Sequence, residues 1–507
     1  MDLRVRGGQR LRPDYDLLAA SKHLDGRKRD LPMVFAGAGT PQELAAAGVR
    51  DRAALIRVQV PDDLVWPWRH AYAQNAARTA RDNASAAGAK LALIYVDVAG
   101  APALLGNFVS STDAMLTLTL SRDEGEALRT RTRTTLTLGG NSNPSYVYHL
   151  RRDHPGGVPA RPERPVDPKA MVKLETKYHA DRPHMFDSIW APLGPKDPWS
   201  SQSTWRFPGP TARTEYVGEG DDLRWLRQIV QVGRTAQGTD EQFWWGSDDY
   251  FRKGQRRPAE NWFGAPLRIG AIEVTTPVVR ENTCGFCRDG DVLLAGQYWL
   301  DGATGHNMVA ATGNSTWKLT RDGTVIPPLS SSPRRFQLPA GPGVYRLETT
   351  DTAYGLDSVR TLAPRVDTVY TFRSDTPTPG RPAGYVCPIN TGSCSFQPVL
   401  QLDYDLNLDL SNQAGAGRLH HFTVTAAAHG LTPNRARVQG MTVWTSTDGG
   451  TSWHHALAVP TGNGRFEVVT NHPARSRTDG FVWLRVHAWD ADGNRTEQTI
   501  QRAYALR

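Results

Sequence analysis

The sequence predicts a mainly β, multidomain protein in which a small α/β domain is followed by β-sandwich domains. Three observations predict it. Glycine (47) and proline (35) both exceed average usage and punctuate many short Val/Leu/Thr runs, the pattern of turn-rich β structure. A strand, a helix and a second strand fit between Ala53 and Asp97, which makes one crossover unit. A hydrophobic fraction of 39%, with 15 tryptophans, supplies enough apolar volume for several cores. At roughly 100–200 residues per domain, a chain of 507 residues holds three or four domains.

Residues 1–30 are polar and basic and read as an N-terminal segment. Residues 31–150 read as the α/β domain. Leu31–Gly37 and Ala53–Val58 are short buried strands. The helix from Trp68 to about Ala87 carries Ala73, Ala77, Ala80, Ala84 and Ala87 on one narrow face, and Gly88 stands where a left-handed cap would end it. Lys90–Asp97 is a nearly continuous apolar run suited to a central strand. Ala114–Ser121, a short helix over Glu124–Thr130 and Arg133–Leu138 complete the domain.

Residues 155–168 are proline-rich and read as a linker. Residues 169–267 alternate short strands with Trp- and Pro-rich loops. Residues 268–375 read as a β-sandwich with strands at Ile269–Val274, Val292–Leu294, Ser315–Leu319, Gly343–Thr349 and Thr368–Phe372. Asp322-Gly323 is a hairpin turn. Residues 374–397 form a second Pro/Gly-rich link. Residues 398–507 read as a further sandwich, clearest at Leu419–Thr425, Arg437–Ser446, Arg465–Thr470 and Phe481–Trp489. No short-period repeat is present.

Net charge is +8 and the isoelectric point about 9.3. The arginines are scattered among acidic residues and no nucleic-acid motif is present, so nucleic acid is not an expected partner. No apolar run reaches about 18 residues, so no membrane-spanning helix is expected. The first residues lack the apolar stretch of a signal peptide, which taken alone points to the cytoplasm.

Two stretches resemble a known family. Asp51–Val58, the alanine-rich helix, Ala86-Ala87-Gly88-Ala89 and the strand Lys90–Tyr95 resemble a protease-associated domain, and Leu118–Leu128 resembles the same domain's later strand and helix. Val443–Trp453, Val482–Asn494 and Gln501–Tyr504 resemble the terminal immunoglobulin-like domain of long actinobacterial subtilisin-like serine peptidases (subtilases). Thr211–Trp225 and Cys284–Asp291 fit the same group. The resemblance implies the non-catalytic accessory region of a secreted peptidase, modulating substrate access and stabilising or anchoring the enzyme. It implies an extracellular location, protein or peptide substrates reached by way of a catalytic domain, and no cofactor. A chain that begins partway through a longer secreted protein reconciles that location with the missing signal peptide. The alternative is a stand-alone secreted module for cell wall, glycan or protein, motivated by the basic charge and the Trp-rich loops.

A subtilase triad needs an Asp, a His and a Ser in set motifs, because the nucleophile works only with its base and the group that orients it. The Asp and His motifs find no match. Gly450-Thr451-Ser452-Trp453 superficially matches the serine motif, but Trp453-His454-His455 replace the small residues that start the serine helix. No catalytic residue is therefore assigned. Ser446, Asp448, Gly450 and Trp453 fit the Asp-box pattern Ser-x-Asp-x-Gly-x-x-Trp, a staple of β-hairpins. Asp490-x-Asp492-Gly493-Asn494 admits a calcium loop, but Gln501 stands where an EF-hand needs Glu, and a turn is the favoured reading.

Cys284, Cys287, Cys387 and Cys394 allow two structural disulfides, with Cys387–Cys394 the favoured local pair, free or redox-active thiols, or a zinc site. Trp199–Trp205 and Trp244–Trp245 suit either sandwich packing or a sugar-binding platform. His149, His154, His179 and His184 show no metal-ligand spacing, and no metal is expected there.

Overall fold

The computed structural model describes the chain except residues 15–19, 21–22, 66, 102–110, 113, 132–133, 152–166, 194–202, 219–223, 235–239, 253–254, 256, 272–273, 276–281, 303–305, 311–312, 331, 354–359 and 390–391. Nearly all of the expected linker 155–168, His154 and Trp199 thus lie outside the described residues. So do the side chains of Trp244 and Trp245. The protein is mainly β, with three α-helices among the described residues. It divides into two compact units, Met1–Pro144 with Thr204–Phe207, and Ser145–Ser203 with Pro208–Arg507.

The first unit is an α/β domain. Arg29–Phe35, Ala53–Val58, Leu91–Val96 and Leu116–Leu120 form a parallel run, each paired with the next. The helix Trp68–Ala86 buries Ala73, Ala77, Ala80 and Ala84. The methyl groups of Ala77, Ala80 and Ala84 pack with Ala54, Ile56, Ala92 and Ile94 on one face of the sheet. Alternate residues Leu55, Leu91, Leu93 and Tyr95 face the other side, where Leu128 of the helix Arg122–Arg129 joins them. A strand covered on both faces has no polar side to show, which is why these segments read as continuous apolar runs. Gly88 has φ +83°, the left-handed conformation that ends the helix without a Cβ clash.

Two features of this unit differ from expectation. Asp2–Val5 pairs with Thr135–Gly139 and with Arg10–Leu11, so the polar N-terminal segment supplies two strands of the sheet. A short helix also occupies Pro41–Ala47. Thr40 caps it by accepting from the Glu43 N–H, and the Glu43 carboxylate accepts from the Thr40 N–H.

The second unit holds three sandwiches. The first packs Glu260–Trp262, Val172–Tyr178, Thr211–Val217 and Tyr146–His149 against His184–Leu193, Arg224–Arg234, Asp240–Tyr250 and Asn307–Ala310. Tyr146–His149 was expected in the α/β domain, and pairs here in parallel with Thr214–Val217.

The second sandwich sets Phe286–Asp289, Val292–Ala295, Ser332–Gln337 and Cys394–Phe396 against Gly313–Arg321, Gly343–Ala353 and Arg365–Ser374. The expected link 374–397 therefore contributes a strand to it. Asp322 and Gly323 both have positive φ, the conformation of a tight two-residue hairpin.

The third sandwich sets Val438–Ser446, Phe481–Asp490 and Arg495–Leu506 against Gln401–Asp405, Leu419–Ala427 and Arg465–Asn471. Thr445 meets Thr470 across the layers at 3.2 Å. His454–Gly462 joins the two sheets by pairing first with one and then with the other. Val366–Thr371 pairs with Arg495–Ile500, so the second and third sandwiches share one continuous sheet.

Candidate functional site

The residues singled out in the sequence fall at turns and in cores. The Ser446 hydroxyl donates to Asp448 Oδ1 at 2.7 Å and accepts from the Gly450 N–H at 3.0 Å. Asp448 also accepts from the Ser452 N–H at 2.9 Å and from the Ser452 hydroxyl. The Ser452 hydroxyl bond, with the other donors of the turn, holds the exposed Asp448 carboxyl down at about 2. Trp453 stacks under the Arg485 guanidinium, 4.0 Å from the ring centroid. Ser452 is thus bound to a carboxylate inside a hairpin turn, and among the described residues no imidazole is bonded to it.

Asp490 likewise closes a turn. Its Oδ1 accepts from the N–H groups of Asp492 and Asn494, and its Oδ2 accepts from the Asn494 amide. Both oxygens are engaged by the chain itself. The cysteines form two disulfides, Cys284–Cys287 and Cys387–Cys394, with Cα atoms 5.8 and 5.6 Å apart. Among the described residues no group of three or more His, Cys, Asp or Glu side chains converges to hold a metal.

The first sandwich of the second unit brings together residues that no sequence motif marked. Period-two alternation places Trp225, Arg227, Ile229 and Gln231 on the inward face of Arg224–Arg234. The Arg227 guanidinium lies 5.2 Å from the Trp190 ring, 5.6 Å from Phe251 and 5.4 Å from Trp262, and bonds Glu260 at 2.6 Å. Glu260 also faces Arg257 at 3.6 Å. On the facing sheet, Arg213 donates to Glu215 at 2.8 Å, and the Tyr178 hydroxyl donates to Glu215 at 2.6 Å. His149 stacks on Trp190 at 3.5 Å and stands 3.8 Å from Glu215. Burial, followed by the Arg213 and Arg227 charges, pushes the His149 imidazole well below its usual value. His179 and His184 are also lowered, chiefly by burial. Trp190, Trp225 and Trp262 are core residues of this sandwich.

This sandwich forms one wall of a cleft of about 890 Å³, within the size range of ligand pockets. Lys177, Arg257, Glu260, Asn261 and His306 line that wall. His306 is held from behind: the Asp301 carboxylate accepts from its Nδ1 at 2.9 Å, and its ring stacks on Trp262 at 3.8 Å.

The opposite wall is the outer face of the third sandwich. Strand register aligns Asp403, Thr425 and Arg465 in one row, and Asp405, Thr423 and Glu467 in the next. Asp403 also pairs with the buried Arg268. Asn412 closes the floor, donating to the Phe263 carbonyl and accepting from the Ala265 N–H. Among the described residues the lining offers hydrogen-bonding groups and charges of both signs.

No known protein family matches the chain, and no curated protein matches it. Among solved structures, a zinc aminopeptidase from Bacillus subtilis aligns at 20% identity and TM-score 0.20, over 27% of this chain and 29% of that one. An aminopeptidase from Aneurinibacillus sp. strain AM-1 aligns at 20% identity and TM-score 0.19, over 28% and 30%. A protein of the Bacteroides ovatus mixed-linkage glucan utilization locus, in complex with a mixed-linkage heptasaccharide, aligns at 10% identity and TM-score 0.11, over 39% and 41%. The chain spans under a third of the length of either aminopeptidase. Likenesses this partial assign neither a family nor an activity.

Proposed function

We propose that this chain is a non-catalytic accessory region of a secreted serine peptidase of the subtilisin-like kind, and that it handles polypeptide for a catalytic domain carried elsewhere. The observation that carries the non-catalytic part is the turn at Ser446–Trp453, where the hydroxyl of Ser452 is bound to Asp448 instead of a histidine base. An α/β module followed by β-sandwiches is the order that the subtilase resemblance implies. The polar cleft supplies a surface on which a polypeptide could be held. The test is casein hydrolysis by the purified chain. No hydrolysis is expected. Cleavage blocked by a serine-directed inhibitor and lost in Ser452→Ala would overturn the proposal.

A second reading, a glycan- or wall-binding module, is favoured by one feature. Trp68 and Tyr72 stand one turn apart on the helix Trp68–Ala86, with both side chains exposed. Retention on insoluble polysaccharide that survives salt and is lost in Trp68→Ala would establish it. Retention lost in modest salt would be charge alone.

A further inference from the structure

The cleft carries more information than its size. Each wall mixes donors with acceptors. Lys177, Arg257 and Asn261 offer donors on one side, beside the Glu260 carboxylate and the Asn261 amide oxygen. On the other, Asp403 and Asp405 supply acceptors, with the Thr423 and Thr425 hydroxyls between them and Arg465. An extended polypeptide presents its C=O and N–H groups to both sides of its own axis, so it can meet donors and acceptors along both walls.

A sugar chain would need a flat aromatic face to stack on. Among the described residues of the lining Tyr404 is the one Phe, Tyr or Trp; its ring is buried and its hydroxyl donates to Gln498 in the sandwich core.

Exposed aliphatic side chains stand on the same sheet face. Leu419 shares its strand and outward face with Thr423 and Thr425. Leu457 and Val459 stand two residues apart on His454–Gly462, beyond the intervening strand Arg465–Asn471, with Val459 aligned in the row of Glu467, Thr423 and Asp405. Leu419 and Leu457 are each 61% exposed, and Val459 45%. Hydrogen-bonding groups beside exposed aliphatic side chains match a polypeptide, which carries both along its length.

We infer that this cleft binds an extended polypeptide segment, with its backbone between Lys177–Asn261 and Asp403–Thr425 and its apolar side chains against Leu419, Leu457 and Val459. The inference rests on the reading of the chain as a polypeptide-handling region, and it names the site and the ligand class.

The test uses the full chain and fluorescein-labelled, reduced and carboxymethylated casein, read by fluorescence anisotropy. Thr425→Trp fills the cleft from a half-buried position on an outward face, and Lys177→Ala removes an exposed donor. Unfolding midpoints of both variants are recorded alongside. At unchanged midpoints, Thr425→Trp should weaken binding by roughly tenfold or more and Lys177→Ala by a smaller factor. If casein binds the parent chain and both variants equally, the cleft assignment is overturned while the accessory reading stands. If casein does not bind the parent chain at all, both fail. If cellohexaose or chitohexaose binds in a Thr425→Trp-sensitive way and casein does not, the ligand class is overturned.

Discussion

In the sandwich built on Val172–Tyr178, the inward positions include Arg213, Glu215, Arg227 and His149, packed among Trp190, Trp225 and Trp262. In the C-terminal sandwich the equivalent layer is Phe422, Val424, Val443, Val468, Val482, Leu484 and Val486. Both are two-layer β structures with clean alternation. The C-terminal layer is chiefly apolar, with a few neutral polar groups such as Thr445, Thr470 and Gln498 hydrogen-bonded within it. The other adds buried charges among its aromatic side chains, each held only while its partner stays in place. The second kind of core gains little stability from its ion pairs, but it fixes where each group points. It is also the one that forms the wall of the cleft lined by Lys177, Arg257, Glu260 and Asn261. The difference teaches that position, rather than stability, is what this charged interior provides.

The largest expected effect breaks that interior. Glu215→Ala leaves Arg213 buried without its carboxylate and should cost ~3–5 kcal/mol. Leu484→Ala in the C-terminal sandwich removes only contacts and should cost ~2–4 kcal/mol. Urea unfolding of both variants checks the order. A loss at Glu215 under about 1 kcal/mol would mean that the charged core is not held by its ion pair.

Next comes the loss of a local staple in the sandwich that lies between these two in the chain. Replacing both Cys387 and Cys394 by serine opens a short loop and should cost ~2–3 kcal/mol, read as a shift in the unfolding midpoint. An unchanged midpoint would remove the disulfide from the account.

Acid sharpens the comparison further. His149 stays neutral when folded and takes a proton when unfolded, once the pH falls below its ordinary value of 6.5. Unfolding therefore gains protons, and stability falls as the pH drops from about 6.5. In the C-terminal sandwich, burial and the neighbouring His472 push His420 down to about 4, with the same sign. That loss should level off near pH 4. His149→Phe should flatten the acid limb of the first sandwich and leave that of the second unchanged, as followed by hydrogen exchange in each region.

The smallest effect belongs to the turn. Asp448→Ala removes the acceptor that ties Ser446 and Ser452, and should lower Tm slightly at neutral pH. Because this carboxyl is depressed to about 2 when folded, its contribution is present above about pH 4 and lost as the pH falls through 2.

Much of the framework was legible because it obeys local rules. Ala53–Val58 reads as a buried strand because it is apolar throughout, the alanine spacing marks the Trp68–Ala86 helix, and Asp322-Gly323 marks its hairpin. The capping pair Thr40 and Glu43 also stands in the sequence, at the start of the short helix Pro41–Ala47. The cleft was not legible. Lys177, Arg257, His306 and Asp403 come from segments far apart in the chain, and nothing local joins them. The charged core was hidden for a different reason. Alternation in Arg224–Arg234 gives the period but not the face, and Arg227 would ordinarily be placed outside.

The most direct measurement is hydrogen–deuterium exchange of the full chain with and without unfolded casein. The account predicts slower exchange at residues 257–265 and 401–408, on the two sides of the cleft, with little change in the aliphatic interior of the C-terminal sandwich. Protection confined to other segments, or none with casein bound, would contradict it.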